Sequence, residues 1–133
     1  MSLEASIITS ETADETGLKF VELFYEAMDR QRHNLNKFFL PMSEMVWSGE
    51  KVTGDNISKY FEKFPTSKHN VECVDAQPIT CAAERSGKPS TIVSVSGTVS
   101  FNDDKLKLFS SQFILIAENN TWKVLNSSIR LFD

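Results

Sequence analysis

Four side chains in this sequence have the chemistry of a general acid or base. They are Tyr25, Tyr60, His69 and Asp75. A fold that held one of them in a desolvated pocket would shift its pKa toward the working pH, as proton transfer requires. Each also has a structural explanation, because a single histidine on an apolar face is usually packed and an aspartate in a turn usually accepts backbone hydrogen bonds. No carboxylate pair or activated nucleophile accompanies them, so the sequence predicts no catalytic residue.

The two cysteines do not have the spacing of a metal site. Cys73 and Cys81 lack a CxxC pattern and have no further cysteine ligands. We therefore expect two reduced thiols, no metal site and no cofactor.

The charge balance argues against direct binding of nucleic acid. Lys and Arg number 14 against 18 Asp and Glu, which gives a net charge of −4 and a pI near 5.2. Direct binding uses a strongly positive surface, so any link to RNA is expected to run through a partner. The acidic N-terminus does not match a secretory signal, and we expect no membrane span. The expected compartment is the cytosol or the nucleus.

The first half of the chain has the hydrophobic period of helices. Apolar residues at three- and four-residue steps predict helices over about 13–30, 32–40 and 57–64, with Pro41 ending the second. A short strand is predicted at 44–48.

The second half has the two-residue period of strands. Strands are predicted from about 68 to a turn-like run at 75–78, and over 91–101, 106–118 and 121–132. Tight turns between long neighbouring strands indicate a curved antiparallel sheet. With about three N-terminal helices on its concave face, the predicted fold is a cone-shaped α+β domain. It is expected to span residues 1–133 as a single domain, with 1–12 as a flexible tail.

The last strand has two partly apolar faces. Alternation from Thr121 onward predicts that one face carries Trp122, Val124, Asn126, Ser128, Arg130 and Phe132. A solvated face would not usually carry this apolar surface, so a partner is expected to cover it and to supply a carboxylate for Arg130. The alternative is that Arg130 extends into solvent from the strand end. The preceding strand, with Phe113 and Ile114 on opposite faces, also favours a covered sheet.

An ordered set of segments resembles a known family, nuclear transport factor 2 and its relatives. The resemblance runs from about Leu18 to Phe132 and is nearest to the export branch of the family. The segments that carry it include Phe20-Val21-x-x-Phe24-Tyr25-x-x-Met28-Asp29, Trp47-Ser48-Gly49, Val74-Asp75-Ala76-Gln77-Pro78, Gln112-Phe113-Ile114-Leu115 and Trp122-Lys123-Val124-Leu125-Asn126-Ser127-x-Ile129-Arg130.

The resemblance implies a non-enzymatic role in nuclear messenger-RNA export. Proteins of the export branch form a heterodimer through the sheet with the matching domain of a large export receptor, and the pair shuttles through nuclear pores by contacting Phe-Gly nucleoporins. In the family an arginine near the end of the last strand pairs with an acidic residue of the large subunit, and Arg130 matches it here. The residues expected at the interface are Arg130, Trp122, Val124, Asn126, Ser128, Phe132, Gln112 and Ile114.

Two other functions remain open at this point. The import branch forms homodimers that bind Ran-GDP through an acidic loop, of which Asp103 and Asp104 remain here while Asn102 and Lys105 weaken it. Isomerases and dehydratases of the same fold place an acid or base inside an open, polar-lined cone. A cone filled by Phe and Trp side chains would argue against that alternative.

Overall fold

The computed structural model describes residues 10–79, 89–102, 104–119 and 121–132. Residues 1–9 of the predicted tail and 82–88 of a polar loop lie outside this part of the chain. The described elements confirm the predicted α+β class, with helices and a six-stranded sheet, although the first two strands precede the second α-helix.

The first helix, α1 (Ser10–Arg30), begins three residues before its predicted start, inside the predicted tail. One apolar stripe faces the sheet, as the spacing predicts. Its buried hydrophobic residues are Ala13, Phe20, Val21, Phe24, Tyr25, Ala27 and Met28. A 3-10 helix (Arg32–Phe38) follows, and the next strand, β1 (Phe39–Trp47), replaces the predicted end of the second helix.

The position of Pro41 explains that difference. A proline disfavours the helical conformation of the residue before it, so Leu40 is already extended. Phe39 is 4% exposed and pairs with Val124 of the last strand. Pairing as a strand therefore gives Phe39 backbone hydrogen bonds to the sheet and buries its side chain. Pro41 therefore lies inside β1 and does not end a helix.

The remaining elements follow in short steps. They are β2 (Glu50–Thr53), a 3-10 turn (Gly54–Asn56), α2 (Ile57–Glu62), β3 (Ser67–Pro78), β4 (Ser90–Phe101), β5 (Lys107–Glu118) and β6 (Thr121–Phe132). The strand order is β2-β1-β6-β5-β4-β3, and every described pair is antiparallel except β1 with β6. The predicted turn at 75–78 is wrong, because these residues pair with β4 through Pro78.

The concave side of the sheet is closed by packed aromatic rings. Phe24 and Phe113 are fully buried, with ring centroids 5.0 Å apart, and Phe20 lies 4.9 Å from Phe113. Trp47 packs edge-on against Phe61 at 5.1 Å. The described interior is therefore filled by large side chains, with no open polar cone among them.

A β-bulge interrupts the last strand. Ile114 pairs with Asn126, but its neighbour Leu115 pairs with Val124, so β6 has one more residue than β5 at Leu125. An extra residue in one strand reverses the alternation of the faces on one side of it. This reversal decides which side chains of β6 face outward.

Candidate interaction face

The outward side chains of β4, β5 and β6 form four rows across the sheet. We call these twelve residues the outer face. The rows are Thr98–Leu108–Phe132, Ser96–Ser110–Arg130, Ser94–Gln112–Ser128 and Ile92–Ile114–Asn126.

The outer face is hydroxylated and apolar, and nearly without charge. Arg130 is the only charged residue of the twelve, and it is exposed. Leu108 and Phe132 are 55% and 45% exposed and pair with each other. A solvated sheet face usually carries Lys and Glu, so this composition favours an interaction surface.

Arg130 lies at the end of a row whose other members are Ser110 on the paired strand and Ser96 one strand further. It forms no salt bridge with any described residue of its own chain. Two carboxylates of neighbouring strands pair with outer-face residues but lie outside the twelve, Asp75 beside Ser94 and Glu44 beside Asn126. The position thus presents an unpaired cation on an otherwise neutral surface.

Two of the predicted interface positions are wrong because of the bulge. Asn126, Ser128, Arg130 and Phe132 face outward as predicted, but Val124 is 0% exposed and faces the interior. Trp122 also packs on the core side. Simple alternation fails here because the extra residue at Leu125 turns Trp122 and Val124 to the concave face.

The other predicted interface residues lie on β5. Gln112 is exposed and Ile114 half-buried, both on the outer face. Sequence reasoning left out Ser96, Ser110 and Leu108, which surround Arg130. The signal for them was present in the alternation of hydroxyl groups along β4 and in the cross-strand register that a hairpin imposes.

Trp122 lines a groove on the opposite side of the sheet. The groove has a volume of about 730 Å³ and lies between α1, the 3-10 helix and the start of β6. Its apolar lining is Leu18, Phe20, Leu23, Phe38 and Trp122. Leu18 and Leu23 are 54% and 48% exposed, so α1 leaves an open apolar surface away from the outer face.

A smaller hollow lies on the outer face itself, beside the bulge. Its volume is about 210 Å³. The lining residues are Ile92, Gln112, Ile114, Asn126, Ser127 and Ser128.

Of the four acid–base candidates, Tyr25 and the His69 side chain are buried, Tyr60 is half-buried and Asp75 is exposed. The hydroxyls of Tyr25 and Ser111 share a buried hydrogen bond of 2.8 Å. Burial raises the pKa of Tyr25 well above its usual range, which keeps its hydroxyl protonated. Tyr60 donates to a Glu50 carboxylate oxygen at 2.6 Å, and partial burial with this hydrogen bond raises its pKa to about 12. Asp75 is exposed on β3.

His69 pairs with a residue that sequence reasoning did not single out for this role. Its Nδ1 donates to Asp29 Oδ1 at 2.7 Å, and its side chain is 2% exposed. Asp29 also accepts from the His69 backbone N–H and from the Ser67 hydroxyl. Burial alone would raise the pKa of Asp29, but the hydrogen bonds from His69 and Ser67 outweigh it and lower the pKa. The pair therefore ties α1 to β3.

The acidic loop of the import branch is only partly represented. Asp103 lies outside the described residues. Asp104 is exposed, and its carboxylate accepts a hydrogen bond of 2.8 Å from the backbone N–H of Lys105.

Two observations on the described residues concern metal binding and membrane spans. No three His, Cys, Asp or Glu side chains there come together as a metal site. No helix in the same ranges is long and apolar enough to cross a membrane.

Comparisons with known proteins identify the fold. A model of the Nuclear transport factor 2 (NTF2) domain matches residues 16–131. The human "NTF2-related export protein 2" is 34% identical over 120 residues, which cover 86% of this chain and 84% of the relative.

Solved structures agree on the architecture. Nuclear transport factor 2 from Cryptosporidium parvum superimposes with a TM-score of 0.78 at 26% identity, covering 94% of this chain and 98% of the other. A chain of the C. albicans Mtr2–Mex67 M domain complex gives a TM-score of 0.73 at 9% identity, covering 90% and 94%. At that identity, the second likeness concerns the fold alone.

Proposed function

The chain belongs to the nuclear transport factor 2 domain family, and from this premise we propose that it is a non-enzymatic cofactor of nuclear messenger-RNA export. In this proposal the outer face packs on the matching domain of a large export receptor, and the heterodimer moves between nucleus and cytoplasm. In this proposal residues 1–133 act as one domain.

The observation that carries the proposal is the exposed, neutral outer face with one unpaired arginine. With β3, four strands of 12 residues each span roughly 40 Å by 19 Å at ordinary strand spacing, about 750 Å². A standard protein–protein interface buries about 800 Å² on each partner. The face is thus large enough for a stable partner, and Arg130 would meet a carboxylate there.

The names and contexts of similar proteins support the same function. The human relative is named an export protein. The C. albicans structure is a complex of Mtr2 with the Mex67 M domain, and one of its chains has this fold. We carry the two-subunit arrangement over to this chain as part of the proposal.

The filled interior supports a role without catalysis. An isomerase or dehydratase of this fold needs room for a substrate inside the cone, but Phe24, Phe109 and Phe113 occupy that space. A groove of about 370 Å³ between α1 and β3 reaches Asp29 and His69. Their hydrogen bonds link two elements of the chain, which agrees with a structural role.

Contact with Phe-Gly nucleoporins is proposed to occur through the heterodimer. The groove around Leu23 and Trp122 offers an apolar surface that the outer-face interface would leave open. Retention of Ran-GDP is not part of the proposal, because Asn102 and Lys105 reduce the acidity of the loop.

The test is an affinity purification of the tagged chain from nuclear extract, followed by calorimetry with the recovered receptor domain. The proposal expects a large export receptor at equal stoichiometry. Arg130→Ala should weaken binding by about 2–5 kcal/mol, because the partner's carboxylate would remain buried and unpaired.

Arg30→Ala is the matched control, since Arg30 is an exposed arginine on α1 whose only described ion pair, with Glu26, is 3.8 Å long. It should bind like wild type. Recovery of Ran with a homodimer would contradict the proposal, and equal affinity of the Arg130 and Arg30 variants would remove the charge pair from it.

A further inference from the structure

The hollow beside the β6 bulge is a built feature of the outer face. The extra residue at Leu125 shifts the pairing between β5 and β6, so the Ile114–Asn126 pair is followed directly by Leu115–Val124. Bulges bend a strand and change where its side chains point. The hollow of about 210 Å³ lies on the outward side of this bend, among Ile114, Asn126 and Ser128.

Its size indicates what kind of group it can hold. Pockets for small molecules are about 300–1,000 Å³, so 210 Å³ is smaller than such a site. The volume of the hollow is of the right order for one large side chain. A neighbouring protein that covers the outer face would bring side chains to this position.

Its lining indicates the chemistry of that side chain. Ile92 and Ile114 are half-buried and supply apolar surface, while the exposed side chains of Gln112, Asn126 and Ser128 supply uncharged polar groups. No charged residue lines the hollow. An apolar side chain would therefore be accepted at the bottom, and the polar groups around it could bond the backbone beside it.

Its location connects it to the proposed interface. Ser128 is two residues from Arg130 on the same strand and the same face. Residues that dominate binding cluster near the centre of an interface, in pockets that exclude water. The hollow and Arg130 thus form adjacent apolar and charged contacts on one surface.

We propose that the hollow receives one large apolar side chain, of the size of Leu, Met or Phe, from the sheet of the receptor domain that pairs with this chain. The inference rests on the proposed function. A second copy of this chain is a poorer occupant, because its twelve residues would bring a second Arg130 and no carboxylate. Asp75, the outward carboxylate that pairs with Ser94, lies on β3, three strands away from Arg130.

The experiment fills the hollow and measures binding to the purified receptor domain by calorimetry. Ile114→Trp should weaken binding at least about tenfold, since the added ring occupies the space of the partner's side chain. Glu62→Trp is the control, because Glu62 is exposed on α2 and lies outside the sheet. It should bind within about twofold of wild type.

A second variant distinguishes a loss of binding from a loss of folding. Ser128→Leu adds bulk from an exposed position on the other side of the hollow, and its melting temperature should match wild type. In addition, truncating the matching apolar residue of the receptor to Ala should make binding insensitive to Ile114→Trp, as a double-mutant cycle requires.

The outcomes separate this inference from the proposed function. Normal binding by Ile114→Trp and Ser128→Leu, with weak binding by Arg130→Ala, would overturn the proposal that the hollow receives a partner side chain. It would leave the proposed heterodimer in place. No binding by the wild-type chain would overturn both. A self-associated chain that Ile114→Trp converts to a monomer on sizing with light scattering would identify a second copy as the occupant and overturn the inference.

Discussion

Asp29 links the end of the first helix to the first long strand. Three donors converge on its carboxylate, the imidazole and backbone N–H of His69 and the hydroxyl of Ser67. Arg32 hydrogen-bonds Ser67 as well and binds the carbonyl oxygens of Phe61 and Phe64. A small set of polar contacts therefore holds α1, α2 and β3 together at one end of the molecule.

Replacing Asp29 tests this link and its pH dependence. Asp29→Asn should cost about 1–3 kcal/mol of unfolding free energy at pH 7, since the amide presents a donor to groups that are themselves donors. The folded pKa of Asp29 lies below the unfolded value of about 3.9. Its contribution is therefore complete above that value and is lost as the pH falls through the folded pKa.

Urea unfolding of both proteins at pH 7 and near pH 3 measures this difference. The gap between them should be full at the higher pH and smaller at the lower. Asp75→Asn, an exposed carboxylate on the same strand, should change stability by about 0.5 kcal/mol or less. Equal stability of the Asp29 and Asp75 variants at pH 7 would argue against the link.

The buried hydroxyl pair of Tyr25 and Ser111 gives a second prediction. Ser111 is 1% exposed, so Tyr25→Phe leaves its hydroxyl without a partner and should cost about 1–3 kcal/mol. Ser111→Ala should cost a similar amount by the same reasoning. The double variant should lose less than the sum, by about 0.5–2 kcal/mol, in denaturant titrations. Additive losses would mean that the two hydroxyls do not stabilise each other.

At the level of elements, the bulge in β6 determines which of its side chains lie on the outer face. Without it, strict alternation would place Val124 on the same face as Asn126 and Ser128. With it, the outward positions after Leu125 are Asn126, Ser128, Arg130 and Phe132.

Two alanine variants of β6 check this assignment in the isolated chain. Val124→Ala should cost on the order of 2 kcal/mol, because a fully buried side chain leaves a cavity. Ser128→Ala should change the unfolding free energy by about 0.5 kcal/mol or less, because Ser128 is exposed. Thermal unfolding of both variants measures the difference. Similar losses would contradict the reversed alternation.

Much of the architecture could be predicted from periodicity. The long apolar stripe of α1, the alternation of β4 and the bounds of β6 at Thr121–Phe132 agree with the sequence, because each is a local pattern with one buried face. The outward position of Arg130 followed from the same pattern. Its interface role stays a prediction.

The missed features depend on contacts between distant segments. Leu125 has no residue type that marks a bulge, and only the register against β5 shows it. The His69–Asp29 pair joins residues 40 positions apart. The early start of β1 depends on burial of Phe39 against β6. Such effects are tertiary and do not appear in a local period.

On the scale of the whole molecule, two surfaces lie on opposite sides of one sheet. The outer face is neutral and broad, and the groove near Trp122 is apolar and narrow. The filled interior between them gives the sheet a fixed shape. One side can therefore hold a permanent partner while the other stays open to weak, repeated contacts.

A permanent partner should raise the thermal stability of the chain with the logarithm of the partner's concentration. A ligand that binds only the folded state at about 100 times its Kd adds about 2.7 kcal/mol, or roughly 10 °C in Tm for a domain of this size. We expect this shift when the receptor domain is added to the wild-type chain. Arg130→Glu should melt like wild type alone, because Arg130 is exposed and forms no described ion pair, yet gain little from the partner. Scanning calorimetry of both proteins over a partner titration measures the two effects together. An equal gain in Tm for the variant would place the decisive contacts away from Arg130, whereas a lower Tm of the variant alone would show that Arg130 stabilises its own chain.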